Sequence, residues 1–315
     1  MARAVQHIIT DIRDHTENAV VNESDNTGIE DSEFLRFMND ATFRLHSRIV
    51  QQHPSVFIKE YEVSVSAGDE EITLPADIML GNKVTMVEYK ESNTDYYVLY
   101  PGTLRHRQRG NNATPRFYIR HTGKILLSPK PSISGTVRIH YIRAPHTLDI
   151  KRGSVAVATL NTTARTITTL TLDVSTDAVD TDVLDKYRHI TIVDKNGEIQ
   201  MENIEVDDID GATGVVTVAS GFVYSTGETI AVGDYVLAGP HASTHLDFPD
   251  SVERYLIAYC AWKIMKRDSS TDSIEQTQEL LEMESEIIAS YADIDDDITP
   301  IPEIKASPSS DDWEW

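Results

Sequence analysis

Cysteine is all but missing from this chain: of 315 residues only Cys260 is one. A single thiol excludes an intrachain disulfide and any metal site built from two or more thiolates of the chain, and it fits a reducing compartment. Long apolar runs are missing too. The longest, Tyr255 to Trp262, is eight residues, against the ~20 that a bilayer-spanning helix needs. Met1-Ala2-Arg3-Ala4 opens no apolar export segment, so neither a membrane span nor a cleaved signal is expected. Glycine and proline, at 15 and 12 residues, are too few for a collagenous or low-complexity chain. Basic residues are scarce: 28 Lys and Arg face 51 Asp and Glu, a net charge of -23. Tight duplex DNA binding relies on Lys and Arg replacing counterions, so it is not expected of the molecule as a whole.

What is present is unevenly distributed. Residues 1–150 carry a net charge of -2, residues 151–245 carry -8, and residues 246–315 carry -13. Between Asp95 and Asp149 there is no acid, while Arg105, Arg107, Arg109, Arg116, Arg120 and Arg138 stand among nine bases. This basic island has three readings. It is the wet face of a sheet, or an interface with an acidic neighbour such as the C-terminal region of the next subunit, or a nucleic-acid contact; the lack of interleaved stacking residues counts against the last.

The period of the apolar residues divides the chain further. Val5, Ile8, Ile9 and Ile12 predict a short helix, and Phe34, Met38, Ala41, Leu45 and Ile49 a longer one, capped by Asp31 or Ser32 and ended before Pro54. From Val56 to Tyr141 the period falls to two. Ala67-Gly68-Asp69 predicts a hairpin between Tyr61–Val65 and Glu71–Pro75, and Thr122-Gly123 a turn between Arg116–Arg120 and Lys124–Ser128. Residues 151–245 are richer in Thr, Val and Asp. There Asn196-Gly197 predicts a type I′ hairpin, and the strands together predict a small barrel or sandwich inserted into the chain. Val252 to Met265 is apolar nearly all round and must be buried; with Ile274 to Tyr291 it predicts a hairpin of helices, opened by a capping box at Asp250 and Glu253. Pro300, Pro302 and Pro308 then mark an extended acidic tail that ends in Trp313-Glu314-Trp315.

The fold expected is therefore α+β. Residues 1–55 supply N-terminal helices, 56–150 an antiparallel β-region, 151–245 the inserted β-module, 246–293 the C-terminal helical hairpin and 294–315 the tail. The first and last helical segments are expected to pack as one bundle. Chemistry is sparse. No phosphate loop, dinucleotide fingerprint or nucleophile elbow occurs. His241 and His245 lack the acid that a zinc hydrolase places beside the first histidine, so they read as loop residues. Asp207, Asp208 and Asp210 lack the first and twelfth ligands of an EF-hand and read as a solvated acidic turn. No cofactor, metal or enzymatic activity is expected.

Three runs carry a family resemblance: Thr114-Pro115-Arg116-Phe117-Tyr118-Ile119, Gly123-Lys124-Ile125-Leu126-Leu127-Ser128-Pro129-Lys130-Pro131, and Gly135-Thr136-Val137-Arg138-Ile139-His140-Tyr141. With them the sequence resembles the head-to-tail adaptor proteins of tailed bacteriophages. The likeness extends more weakly to Asn39-Asp40-Ala41 and to Leu246-Asp247-Phe248-Pro249-Asp250. It implies a virion protein of the head-tail junction, made in the host cytoplasm, that forms a ring, typically twelve-fold, beneath the portal. Such a ring extends the DNA channel, lets genomic DNA pass without tight binding, and offers a platform to tail and nozzle proteins. It also implies that the C-terminal extension, with Ile301, Trp313 and Trp315, reaches the portal. The module at 151–245 departs from a minimal adaptor. The other reading is a β-rich tail, fibre or adhesion-type binding protein built around that module.

Overall fold

The stripe of apolar residues in the second helix is what organises one end of the molecule. In the computed structural model, which describes residues 4–16, 29–81, 83–91, 95–107, 113–175, 179–220, 222–224, 228–268 and 274–292, helix α1 spans Val5–Thr16 and helix α2 spans Asp31–Gln52. Phe34, Met38, Ala41, Leu45 and Ile49 are all fully buried along α2, as residues three or four apart on one helical face must be. The residue before the helix is Glu30, in extended backbone and without a side-chain cap, so the helix starts one residue earlier than a cap at Asp31 would allow and two earlier than a cap at Ser32. His53 follows its end, and Pro54 opens a short 3-10 turn.

Nine strands follow: β1 (Ile58–Val65), β2 (Glu71–Thr73), β3 (Val84–Glu91), β4 (Tyr97–Val98), β5 (Tyr100–Gly102), β6 (Phe117–His121), β7 (Lys124–Ser128), β8 (Gly135–Ile142) and β9 (Thr147–Leu148). They form two four-stranded sheets, ordered β1-β8-β3-β4 and β2-β7-β6-β5, while β9 stands apart. The hairpin expected around Gly68 is not made. β1 pairs along its whole length with β8, Ile58 opposite Ile142 through Val65 opposite Gly135, and β2 pairs with β7. An eight-residue partner satisfies every ladder group of β1, whereas β2 offers three residues. Gly68, at φ +88°, instead turns the chain from one sheet to the other. Nor is the region wholly antiparallel: β5 runs parallel to β6, Tyr100 opposite Phe117 and Gly102 opposite Ile119. The turn at Thr122-Gly123 forms as expected, joining β6 to β7. Gly135 of the third resemblance run admits no side chain: a Cβ there would lie 2.4 Å from the Lys90 carbonyl.

The module comprises β10 (Gly153–Asn161), β11 (Thr166–Leu172), β12 (His189–Val193), β13 (Ile199–Asp210), β14 (Val215–Val218) and β15 (Tyr235–Ala238), closed into a six-stranded barrel of order β10-β11-β14-β13-β12-β15. Closure removes the sheet edges. Leu170, Ile190, Ile192, Met201, Ile204 and Val236 fill its interior. Between β11 and β12 lies a helix that the apolar spacing does not announce, α3 (Thr181–Tyr187), started by the Asp180 carboxylate accepting from the Val183 N–H. The Asn196-Gly197 hairpin forms, but not as type I′: only Gly197 has positive φ, +86°. Gly197 N–H donates to the Asp194 carbonyl and the Asp194 carboxylate takes the Asn196 and Glu198 N–H groups, a three-residue loop with a glycine bulge.

The chain returns from the barrel through β16 (Ala242–Ser243), which pairs parallel with β9, Ala242 opposite Thr147 and Ser243 opposite Leu148. A 3-10 turn at Asp250–Val252 leads directly into α4 (Glu253–Asp268), and α5 (Ile274–Ser290) completes the described chain. Helices α1, α2, α4 and α5 share one hydrophobic core, to which α4 gives Tyr255, Leu256, Tyr259, Cys260 and Ile264. The fold is thus α+β, with five helices and a six-stranded barrel among the described residues.

Candidate functional site

The basic segment that is continuous in sequence is divided in space. Arg105 sits on the 3-10 turn Leu104–His106, just after edge strand β5, and is exposed. His106 stacks on Phe117, ring centroids 5.0 Å apart, which sets that turn beside exposed Arg116, one residue before β6 rather than within it. Among the described residues neither Arg105 nor Arg116 has a carboxylate partner. Arg107 is already engaged: its guanidinium pairs with Glu70, which also meets Lys130 at 3.3 Å. The Arg107 hydrogen bond outweighs burial and holds the Glu70 carboxyl below its usual range. Arg109 lies outside the described residues.

Arg120, exposed on β6, donates to the Val84 carbonyl at 2.7 Å and so links the two sheets. Arg138 belongs to a network on the other sheet. On β8 it pairs with Glu62 at 2.7 Å, Glu88 at 3.6 Å and Glu60 at 3.7 Å, and lies 4.0 Å from the centre of the Tyr96 ring. Hydrogen bonds from Arg138 and then Tyr96 lower the Glu62 carboxyl. His140, two residues on, takes Glu88 at 3.0 Å. The unpaired cations are therefore at the β5 edge, beside exposed Tyr100 and Leu104. Permanent cations beside apolar side chains suit contact with an acidic protein surface. Ile301, Trp313 and Trp315 of the tail lie outside the described residues.

A second constellation gathers where the barrel joins the body. Asn39 of α2 donates to the Leu148 carbonyl at 2.9 Å and accepts the Leu148 N–H at 2.7 Å, clamping β9. Asp247 accepts the His146 N–H at 2.7 Å, and its other oxygen lies 2.6 Å from His146 Nδ1. Burial alone would raise the Asp247 carboxyl, yet His146 and Arg143 together hold it at about 2. Asp149 joins Arg152 at 2.8 Å and accepts the Ala238 N–H of β15 at 2.9 Å, while Arg152 reaches Asp180 at 2.7 Å. From the barrel, Glu202 of β13 accepts from His241 at 2.9 Å and approaches Lys59 of β1 at 3.9 Å. His245 Nδ1 lies 2.9 Å from the Thr244 hydroxyl. These groups hold two bodies together; none is paired as nucleophile and base. Asn39 and Asp247 lie in the weaker resemblance runs, but their partners are set by the tertiary fold. Glu62, Glu70 and Glu202 carried no signal, being ordinary acids in strand-like sequence.

No helix among the described residues is long and apolar enough to cross a membrane, and no group of three or more His, Cys, Asp or Glu side chains among them is placed to hold a metal ion. Comparison with known proteins places the first part of the chain. No curated protein matches it. The model of the family described as SU10 adaptor protein matches residues 3–152, just under half of the chain, and ends one residue before β10 begins, so the barrel, α4 and α5 lie outside the match. From α1 to β9, where the motifs resemble phage adaptors, the chain is similar to the SU10 adaptor protein family.

Proposed function

We propose that this chain is a structural protein of a tailed-phage virion, a head-to-tail adaptor that assembles into a ring beneath the portal. In this reading the ring extends the DNA channel and gives tail proteins a platform, and the chain performs no reaction. The observation that carries it is the match of residues 3–152 to the SU10 adaptor protein family. Charge supports it as well. DNA sliding through a channel is slowed by every Lys or Arg that neutralises a phosphate, and a net charge of -23 disfavours such contacts. The helices around one core form the bundle of the adaptor body, and the unpaired Arg105 and Arg116 face a neighbouring copy. The tail from residue 294 reaches the portal, with Trp313 and Trp315 as anchors, since tryptophan is among the residues most enriched where binding energy concentrates.

Size-exclusion chromatography with light scattering, on the full chain alone and with the portal of a tailed phage, tests this reading. A ring-sized complex with portal is expected. Removal of residues 294–315 is expected to weaken portal attachment about tenfold, or ~1.4 kcal/mol, without changing the melting temperature of the free chain. A full chain that ignores the portal would favour the second reading, a β-rich tail, fibre or adhesion-type binding protein, for which the closed barrel is the supporting feature.

A further inference from the structure

The barrel carries a cavity of about 460 Å³ whose walls leave polar groups unsatisfied. Glu202, Asn203 and Glu205 of β13, His189 of β12, and Phe222 and Tyr224 line it. Two buried atoms there, the Tyr224 hydroxyl oxygen and His189 Nδ1, have no hydrogen-bond partner among the described residues. Tyr224 is only 6% exposed, and a buried hydroxyl left unpaired is unfavourable because it has given up its bond to water. Glu202 is already held by His241. Glu205 is exposed, and its carboxylate has no partner among the described residues.

Carboxylates, two aromatic rings and unpaired buried polar atoms in one cavity define the chemistry that fits. A guanidinium is planar and has five N–H donors: two can meet a carboxylate side by side, the face can lie on a ring, and others remain for a hydroxyl and an imidazole nitrogen. An ammonium has no such face. The chain itself offers the group. Arg105 stands on an exposed turn, unpaired, in a stretch without an acid from residue 96 to 148, while residues 151–245 carry a net charge of -8. Arg116 is less free to reach out, because its backbone N–H and carbonyl are bonded to Ser128 and Tyr100.

We propose that the cavity formed by β12, β13 and residues 222–224 receives the Arg105 guanidinium of a neighbouring copy of this chain. Such a contact joins different surfaces of the two copies. Contacts of that kind build a ring where the rotation between copies closes. The proposal rests on the ring reading above and names the groups that join its subunits.

Sedimentation velocity on the full chain, alone and with the portal, tests it with four variants: Arg105→Glu, Glu205→Arg, the two combined, and Tyr224→Phe. Both charged positions are exposed, so melting temperatures should stay within a degree or two of the original. Each single reversal is expected to raise the concentration needed for assembly at least tenfold, and the combination to restore it to within threefold. Tyr224→Phe is expected to raise it severalfold while leaving the fold intact. Assembly of both single variants at the original concentration would leave the ring reading standing and overturn this contact. Loss without rescue would overturn the pairing of these two residues. A chain that stays monomeric alone and with the portal would overturn both readings.

Discussion

Asn39 and Asp247 each use a short polar side chain to hold backbone 109 and 101 positions away. His46 shows the opposite arrangement, a titratable ring whose burial outweighs what its charge would gain from Asp247. It is 1% exposed on α2, 4.3 Å from the Phe57 ring, and its Nε2 has no partner among the described residues. Burial first, and then the Arg143 charge, lower its pKa from 6.5 to about 4. Because the folded value lies below the unfolded one, the unfolded chain takes up the proton first as pH falls. The stability tied to neutral His46 is complete above pH ~6.5 and is lost between there and about 4, on the order of 3 kcal/mol in all. Melting temperature followed across that window should fall, and His46→Phe should flatten the fall. A melting temperature in the original chain that stays level from pH 6.5 to 4 would contradict this account.

At the scale of elements, α5 is tied down by one acid in its apolar stripe. Glu284 lies four residues from both Leu280 and Ile288, on the face that those residues bury. It is 1% exposed, pairs with Arg44 at 2.6 Å and Arg48 at 3.4 Å on α2, and accepts from the Tyr255 hydroxyl of α4 at 2.7 Å. Three helices therefore meet at one carboxylate. Both arginines are partly exposed and can return to water, so the loss on removing the acid falls below that of a wholly buried pair. Glu284→Ala should cost about 3 kcal/mol in urea unfolding, and Glu284→Gln, which keeps a hydrogen bond to Tyr255, about half of that. Values within 0.5 kcal/mol of the original for both variants would mean that packing alone holds α5.

For the whole molecule, the decisive feature is that the chain leaves for the barrel and comes back at one place. β9 and β16 lie side by side, and the barrel interior is a separate hydrophobic core from the helical one. We expect the barrel to be removable. Excision of residues 153–238 with a short linker should keep the helical circular dichroism signal, with a lower melting temperature from the loss of the Asp149 to Ala238 and Glu202 to Lys59 contacts. Collapse of the helical signal would show that body and barrel fold as one unit. The match to adaptor proteins stops where this barrel starts, so the excised chain also asks whether the body alone meets the portal.

Local pattern was enough for the helices of the shared core, for the β6–β7 turn, and for a small β-module between the sheets and α4. Each follows from residues near one another in sequence: a burial period of 3.6 or 2, or a glycine where φ must be positive. The short α3 escaped because it has seven residues, in which only Val183, Leu184 and the exposed Tyr187 are hydrophobic, too few to set a helical period. Partnership is a different matter. Alternation shows that Tyr61 to Val65 is a strand but not that its partner lies beyond Gly135, because any strand of matching length satisfies its backbone equally. Charge behaves in the same way. Nine bases in one acid-poor stretch read as a single surface, yet Arg138, Arg107 and Arg120 find Glu62, Glu70 and the Val84 carbonyl within the chain, and Arg105 and Arg116 stay open. Sequence set the inventory of cations and where the chain bends. Only the tertiary fold, by bringing distant acids within 3 to 4 Å of some and none of others, decided which remain for a partner.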